Sequence, residues 1–302
     1  VKDFPAMNVV QRLYEITELP ALPEILVRVQ RLVNSEEGNA TILAKIIQQD
    51  PSLAVKVLKV ANSAFFCPAN QRISSLQLAI ARIGFNEIRS IIMAITLIKQ
   101  FSKKSNVLDY KQFWRHSLAS AYFSQTIINA LPAKYSSEER QICFLSSLLH
   151  DIGILVYDQF FHKEFEQIMN SALSQEKPFL FAEQMVAGKE SHPMVGSALL
   201  ELWKIESPVI SGVRFHHVFD KAPDNHARFW AVTYLAEYVL CNLALGSFEG
   251  TIQEVKKSIW DILGLSPDSL GALFTKAEID VEKAGVVLEM ETGGPNSQLR
   301  MV

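Results

Sequence analysis

The sequence predicts an all-α protein, and three observations carry that expectation. Apolar residues recur at helical spacing almost throughout the 302 residues, and strand-like alternation is scarce. Gly (13) and Pro (12) are sparse, which disfavours a turn-rich sandwich or barrel. Hydrophobic residues make up 49% of the chain against 20% charged, enough for a sizeable core and too apolar for global disorder.

The elements follow in order. Residues 21–34 place Leu22, Ile25, Leu26, Val29, Leu32 and Val33 on one stripe. Pro23 falls in the first turn, where its missing N–H costs nothing. A helix over 39–49 carries Ile42, Leu43, Ile46 and Ile47. Asp50-Pro51 separates it from a helix over about 51–62 with Leu53, Val57, Leu58 and Ala61. After the loop FFCPANQR, Ser74 and Ser75 can cap a helix over Leu76, Ala79 and Ile80. Gly84-Phe85-Asn86 is a short break before a strongly apolar helix from Glu87 to about Phe101.

The polar stretch FSKKSNVLDY marks a junction. Beyond it, helices are expected near 110–131, 137–155, 158–173, 191–203, 206–217 and 226–246, with Pro208 in a restarted first turn. A last pair, 251–263 and 267–287, can pack back on the domain. The expected organisation is an N-terminal helical lobe over 10–102, a helical core over 106–246 and a C-terminal helical appendix over 250–288. The segment 289–302 has no core-forming pattern and is expected to be a mobile tail. No internal repeat is found.

Net charge is −3 and the pI is about 6.2, which excludes the concentrated basic surface that direct nucleic-acid binding needs. Cys67, Cys143 and Cys241 lie far apart without CxxC spacing and read as thiols in a reducing compartment. The start VKDFPAMNVV lacks the basic residues and apolar run of a secretory signal. The most apolar stretch, 91–98, is less than half a membrane span. A soluble cytoplasmic protein without membrane insertion is expected. Because the chain does not open with Met, further upstream sequence is expected as well.

Seven histidines stand at 116, 150, 162, 192, 216, 217 and 226. Taken singly, each reads as an ordinary core or surface residue. Together they are harder to dismiss. His150-Asp151 is a polar pair inside the apolar LLHDIGIL, and His216-His217 ends a helix in VRFHHVFD. Burying such groups is costly unless something pairs with them, and a metal ion is one such partner. A carboxylate can bridge two cations, one through each oxygen, while imidazoles fill the remaining positions, as in two-metal hydrolases. Nitrogen and carboxylate ligands without thiolate suit divalent iron, manganese, zinc or magnesium.

The order His116, His150-Asp151, His192, His216-His217 resembles the HD phosphohydrolase superfamily. The closer resemblance is to its HDOD branch, over roughly residues 15–245. In the first half it rests on LPALPEILVRVQRLVN, ILAKIIQQDPSLAVKVLKVANSAFF and ISSLQLAIARIGFNEIRSIIM. In the second it rests on WRHSLASA, LLHDIGIL, ESHPMVGSALLELW and FHH. The resemblance implies an HD-like helical core joined to an N-terminal helical lobe, and a role in signal transduction. By similarity to the HD-GYP type, His116, His150, Asp151, His192, His216 and His217 fall on metal-ligand positions. TYLAEYVL places Glu237 where Asp is usual, one methylene longer.

Two departures matter. Ile154 stands where the family pattern HDIGK has lysine, and VFDKAPD replaces the HD-GYP continuation, which argues against cyclic di-GMP hydrolysis. Arg115 and Arg214 lie beside the ligand positions and read as surface charges. Trp114, Trp203 and Trp230 read as core residues, the Lys pairs at 103–104 and 256–257 as solvated faces. Cys67 shows no neighbouring base and is not expected to be a nucleophile.

The functional expectation is a bacterial-type signalling module of the HDOD kind that retains a binuclear metal centre, iron or manganese first and zinc or magnesium second. Its partner would be a signalling protein or a phosphorylated small molecule. The alternative is a metal-dependent phosphohydrolase acting on a nucleotide or phosphoester, with Asp151 as its catalytic residue.

Overall fold

A computed structural model describes residues 8–33, 40–67, 72–101, 107–175, 179–217, 224–245 and 254–292. Among these residues there are α-helices and short 3-10 turns but no strand. The expected junction at 102–106, residues 218–223 of VFDKAPD and residues 293–302 of the expected tail lie outside the described residues. The chain forms two compact units. One comprises residues 20–102 with 282–302, the other 1–19 with 103–281.

The smaller unit is built from α2 (Glu24–Val33), α3 (Ala40–Gln48), α4 (Pro51–Ala61), α5 (Leu76–Ile83) and α6 (Phe85–Gln100). Its starts and stops are written in the sequence. Asp50 caps α4 by accepting from the backbone of Ser52 and Leu53, with Pro51 in the first turn. Ser75 caps α5 by accepting from Leu78 N–H. Gly84, at φ +102°, ends α5 and starts α6. Leu26, Val29, Leu43, Ile47, Val57, Ile80, Ile88 and Ile91 form its core. Within the run KVLKVANSA, Asn62 explains itself. Its Nδ2 donates to the carbonyls of Leu58 and Ile73, and its Oδ1 accepts from Ile73 N–H, each at 2.8 Å. One side chain thus pins the return of the loop against the helix it leaves.

The larger unit holds α1 (Val9–Glu15), α7 (Tyr110–Ala130), α8 (Ser137–Leu149), α9 (Ile152–Phe160), α10 (His162–Gln175), α11 (Phe179–Ala187), α12 (His192–Leu202), α13 (Ser207–Phe215), α14 (Ala227–Asn242) and α15 (Lys257–Leu263). α16 (Leu270–Thr292) contributes its residues up to 281. Helix α7 packs along α8 and α14, α8 along α13, and α9 along α12. α1 is fastened here by polar contacts as well as by Leu13. Val9 N–H donates to Glu190 Oε2 at 2.7 Å, Arg12 pairs with Glu164, and Tyr14 donates to Glu201.

The expected helix over 137–155 is two helices, broken at His150-Asp151. Apolar periodicity runs through LLHDIGIL without interruption, so the break has no signal in the pattern. Its physical reason is packing. A Cβ on Gly153 would fall inside contact distance of the His192 carbonyl oxygen and within 2.8 Å of Gly196 N. Only glycine lets α9 leave the break flush against α12. The helix over Phe179–Ala187 was not expected, because FLFAEQMVA is apolar nearly all round and shows no stripe.

Candidate metal centre

Helix ends deliver most of the candidate ligands. His150 is the C-terminal cap of α8 and His216 that of α13. Each folds its Nδ1 back onto the carbonyl three residues earlier, Ser147 at 2.7 Å and Val213 at 2.6 Å. These carbonyls are among those that a helix end leaves unpaired. His192 opens α12. Its backbone N–H and its Nδ1 both bind one buried carboxylate, Glu183, at 2.7 and 2.8 Å. His116 lies inside α7 and directs Nδ1 to the carbonyl of Leu245 at 2.9 Å. Asp151 occupies the N-cap position of α9 but makes no capping hydrogen bond. Its carboxylate faces the imidazoles instead.

This arrangement fixes the tautomers. Carbonyl and carboxylate oxygens only accept, so all four Nδ1 atoms carry the proton and the four Nε2 atoms are left for another partner. Those Nε2 atoms point at one another: His116 to His150 at 3.0 Å, His192 to His216 at 3.3 Å. Two neutral rings so placed oppose their lone pairs and two protonated rings oppose their charges, so each pair suits either one shared proton or a metal ion. A cation between them removes both objections. Nitrogens held about 2.1 Å from one metal ion stand about 3.0 Å apart at octahedral angles and about 3.4 Å at tetrahedral ones, so the residues fit a metal ion.

Asp151 lies between the two pairs. Oδ2 is 3.3 Å from His150 Nε2 and 3.7 Å from His116 Nε2, while Oδ1 is 3.3 Å from His192 Nε2 and 3.8 Å from His216 Nε2. Glu237 Oε2 joins the first pair, 2.8 Å from His116 Nε2 and 3.0 Å from His150 Nε2. His217 joins the second, its ring centroid 3.9 Å from that of His216 and 5.2 Å from that of His192. Two groups could therefore each hold an ion, one of His116, His150 and Asp151 with Glu237 beside it, the other of Asp151, His192, His216 and His217. His116, His150, Asp151, His192, His216 and Glu237 are each at most 1% exposed, while His217 is partly exposed.

The electrostatics follow from packing acids and imidazoles into this space. Burial opposes every charge here. At His116 and His150 the carboxylates of Glu237 and Asp151 outweigh it, raising both imidazoles above their ordinary range, His150 well above. Glu183 and Asp151 do the same for His192. Asp151 and Glu237 are in turn held well below the usual carboxylate range by the histidines, against their burial. His216 is lowered well below the imidazole range by burial and by His217, His150 and His192.

Other sequence candidates lie elsewhere or are ordinary. Arg214 donates to Ser197 Oγ at 3.0 Å and pairs with Glu201 at 2.7 Å, and Arg115 is exposed. Trp114, Trp203 and Trp230 are core residues, and Ile154 is fully buried. Glu183 is not among the residues that the sequence pattern singles out. The available signal was a single acid in the otherwise apolar and amide-bearing FLFAEQMVA.

Residues 19–219 match the HDOD domain family. The chain belongs to the HDOD family. An HDOD domain protein of unknown function from Geobacter sulfurreducens shares the fold at a TM-score of 0.79 and 22% identity, over 93% of this chain and 96% of that one. A Marinobacter aquaeolei VT8 protein assigned to signal transduction does so at 0.77 and 21%, over 94% of this HDOD chain and 64% of that one. An uncharacterised protein of Treponema pallidum (strain Nichols) is 24% identical over 211 residues, 70% of this chain. The HDOD chain spans only 40% of that relative's length.

Proposed function

We propose that this HDOD protein is a signal-transduction module built around a binuclear divalent-metal centre, with His116, His150, Asp151 and Glu237 holding one ion and Asp151, His192, His216 and His217 the other. The observation that carries the metal reading is the convergence of four Nδ1-anchored imidazoles on the two oxygens of Asp151. Imidazole and carboxylate suit divalent iron, manganese, zinc and magnesium alike, and iron or manganese is the first choice proposed, with zinc or magnesium second. The signalling reading is favoured by closure. Six of the seven ligands are shut away from solvent, and buried Ile154 replaces the lysine of the family pattern. The partner is a signalling protein or a phosphorylated small molecule, and the acidic balance of the chain disfavours nucleic acid.

A second reading, a metal-dependent phosphohydrolase, is favoured by Asp151, which turns one oxygen to each histidine pair as a carboxylate shared by two ions would. A divalent pair bound there would supply Lewis acidity and a nucleophile at neutral pH, and Asp151 would be the carboxylate common to both groups. The experiment is hydrolysis of a general phosphodiester and of nucleotides with added manganese or iron(II), comparing the parent with Asp151→Asn. The signalling reading expects no metal-dependent turnover in either. Turnover in the parent that disappears in Asp151→Asn would replace it with the hydrolase.

A further inference from the structure

Glu237 and Cys241 lie one turn apart on α14, on the same helix face and both buried. The thiol donates to Glu237 Oε1 at 2.8 Å. The other oxygen, Oε2, lies 2.8 Å from His116 Nε2 and 3.0 Å from His150 Nε2. The carboxylate is thus shared out, with Oε1 held by the helix that carries it and Oε2 facing the imidazoles. Glutamate has one more rotatable bond than aspartate, so its carboxylate has more freedom to lose on being fixed. An aspartate here would draw the carboxylate back toward the backbone by about the length of one methylene, roughly 1.5 Å. It could not span the same two partners.

We infer that Cys241 is a positioning residue for the first ligand group. Its thiol fixes Glu237 Oε1 and so aims Oε2 between His116 and His150, which is how this chain accommodates a glutamate at that position. The inference rests on the metal reading above and adds to it a residue that is not itself a ligand. Partners that orient a ligand in this way commonly change metal affinity by about 10- to 100-fold when removed.

The test uses manganese(II) as the probe and measures its equilibrium affinity on the full chain, with thermal melting to check folding. The variants are Cys241→Ser, Cys241→Ala, Glu237→Asp and the double variant Glu237→Asp with Cys241→Ala. Cys241→Ala is expected to weaken one of the two bound ions by about 10- to 100-fold. Cys241→Ser, whose hydroxyl can donate as the thiol does, is expected to stay within a few-fold of the parent. In the Glu237→Asp background, Cys241→Ala is expected to add nothing, a dependence that a purely structural cysteine would not show. Parent-like affinity in Cys241→Ala, or an equal loss in both backgrounds, overturns the inference and leaves the metal reading intact. A parent chain that takes up no manganese overturns both.

Discussion

His116 and His150 face each other nitrogen to nitrogen, their Nε2 atoms 3.0 Å apart, while both Nδ1 atoms are committed to main-chain carbonyls. Neither ring can turn away without giving up its main-chain acceptor, and for His150 that acceptor is buried, a loss of about 1–3 kcal/mol. The pair is therefore fixed in a geometry that favours a cation between the rings.

Glu183 sets the same condition for His192 through a side chain. Glu183→Gln keeps the shape but removes the charge, and its amide nitrogen cannot accept from the ring. Metal affinity of the second group is expected to fall by about 10- to 100-fold with the fold retained. Metal titration of the purified variant checks it, and an unchanged affinity would reduce Glu183 to a packing residue.

Gly153→Ala tests the close approach of α9 to α12. The added methyl meets backbone, the His192 carbonyl and Gly196 N, and backbone cannot move aside as a flexible side chain would. Destabilisation of about 3 kcal/mol or more is expected, together with displacement of His192. Chemical denaturation measures it. A variant as stable as the parent would contradict the packing described here.

The response to pH has a defined sign. Without metal, His116, His150 and His192 are raised imidazoles. Their pairs contribute fully below the ordinary imidazole value of about 6.5, and that contribution is lost as pH climbs through the raised folded values. Asp151 and Glu237 are depressed, so their contribution is present above the ordinary carboxylate range and lost as pH falls through the depressed values. A divalent ion bound by these nitrogens would displace the imidazole protons. Metal affinity is therefore expected to rise, with proton release, as pH increases above about 6.5. Calorimetric titration in buffers of different ionisation enthalpy would detect this release, and an affinity flat across that window would count against the assignment.

Removing bound metal is expected to lower thermal stability. Each ion present at about a thousand times its dissociation constant contributes roughly 4 kcal/mol. For a unit of this size that amounts to about 8–16 °C for one ion. Melting with and without a chelator measures the difference.

Much of the fold was legible in single residues. Asp50, Ser75 and Gly84 mark helix boundaries by chemistry that acts within a few positions of the chain. The family followed from short runs such as KVLKVANSA, where Asn62 does a local task. The break at His150-Asp151 was not legible, because it is imposed by the contact of Gly153 with an element some 40 residues later. Glu183 and Cys241 were missed for a related reason. Each acts through a partner whose orientation exists only once the helices are packed, Glu183 on a backbone and ring nitrogen across a turn, Cys241 on an acid that the histidines of two other helices hold in place.

Metal content of chain purified without chelator, for the parent and for Asp151→Asn, tests the binuclear centre itself. Asp151 presents one oxygen to each histidine pair, so its amide analogue cannot offset two neighbouring cations. Two divalent ions per chain are expected in the parent and at most one in Asp151→Asn, with the helical content unchanged. A parent without stoichiometric metal, or a variant that keeps both ions, would contradict it.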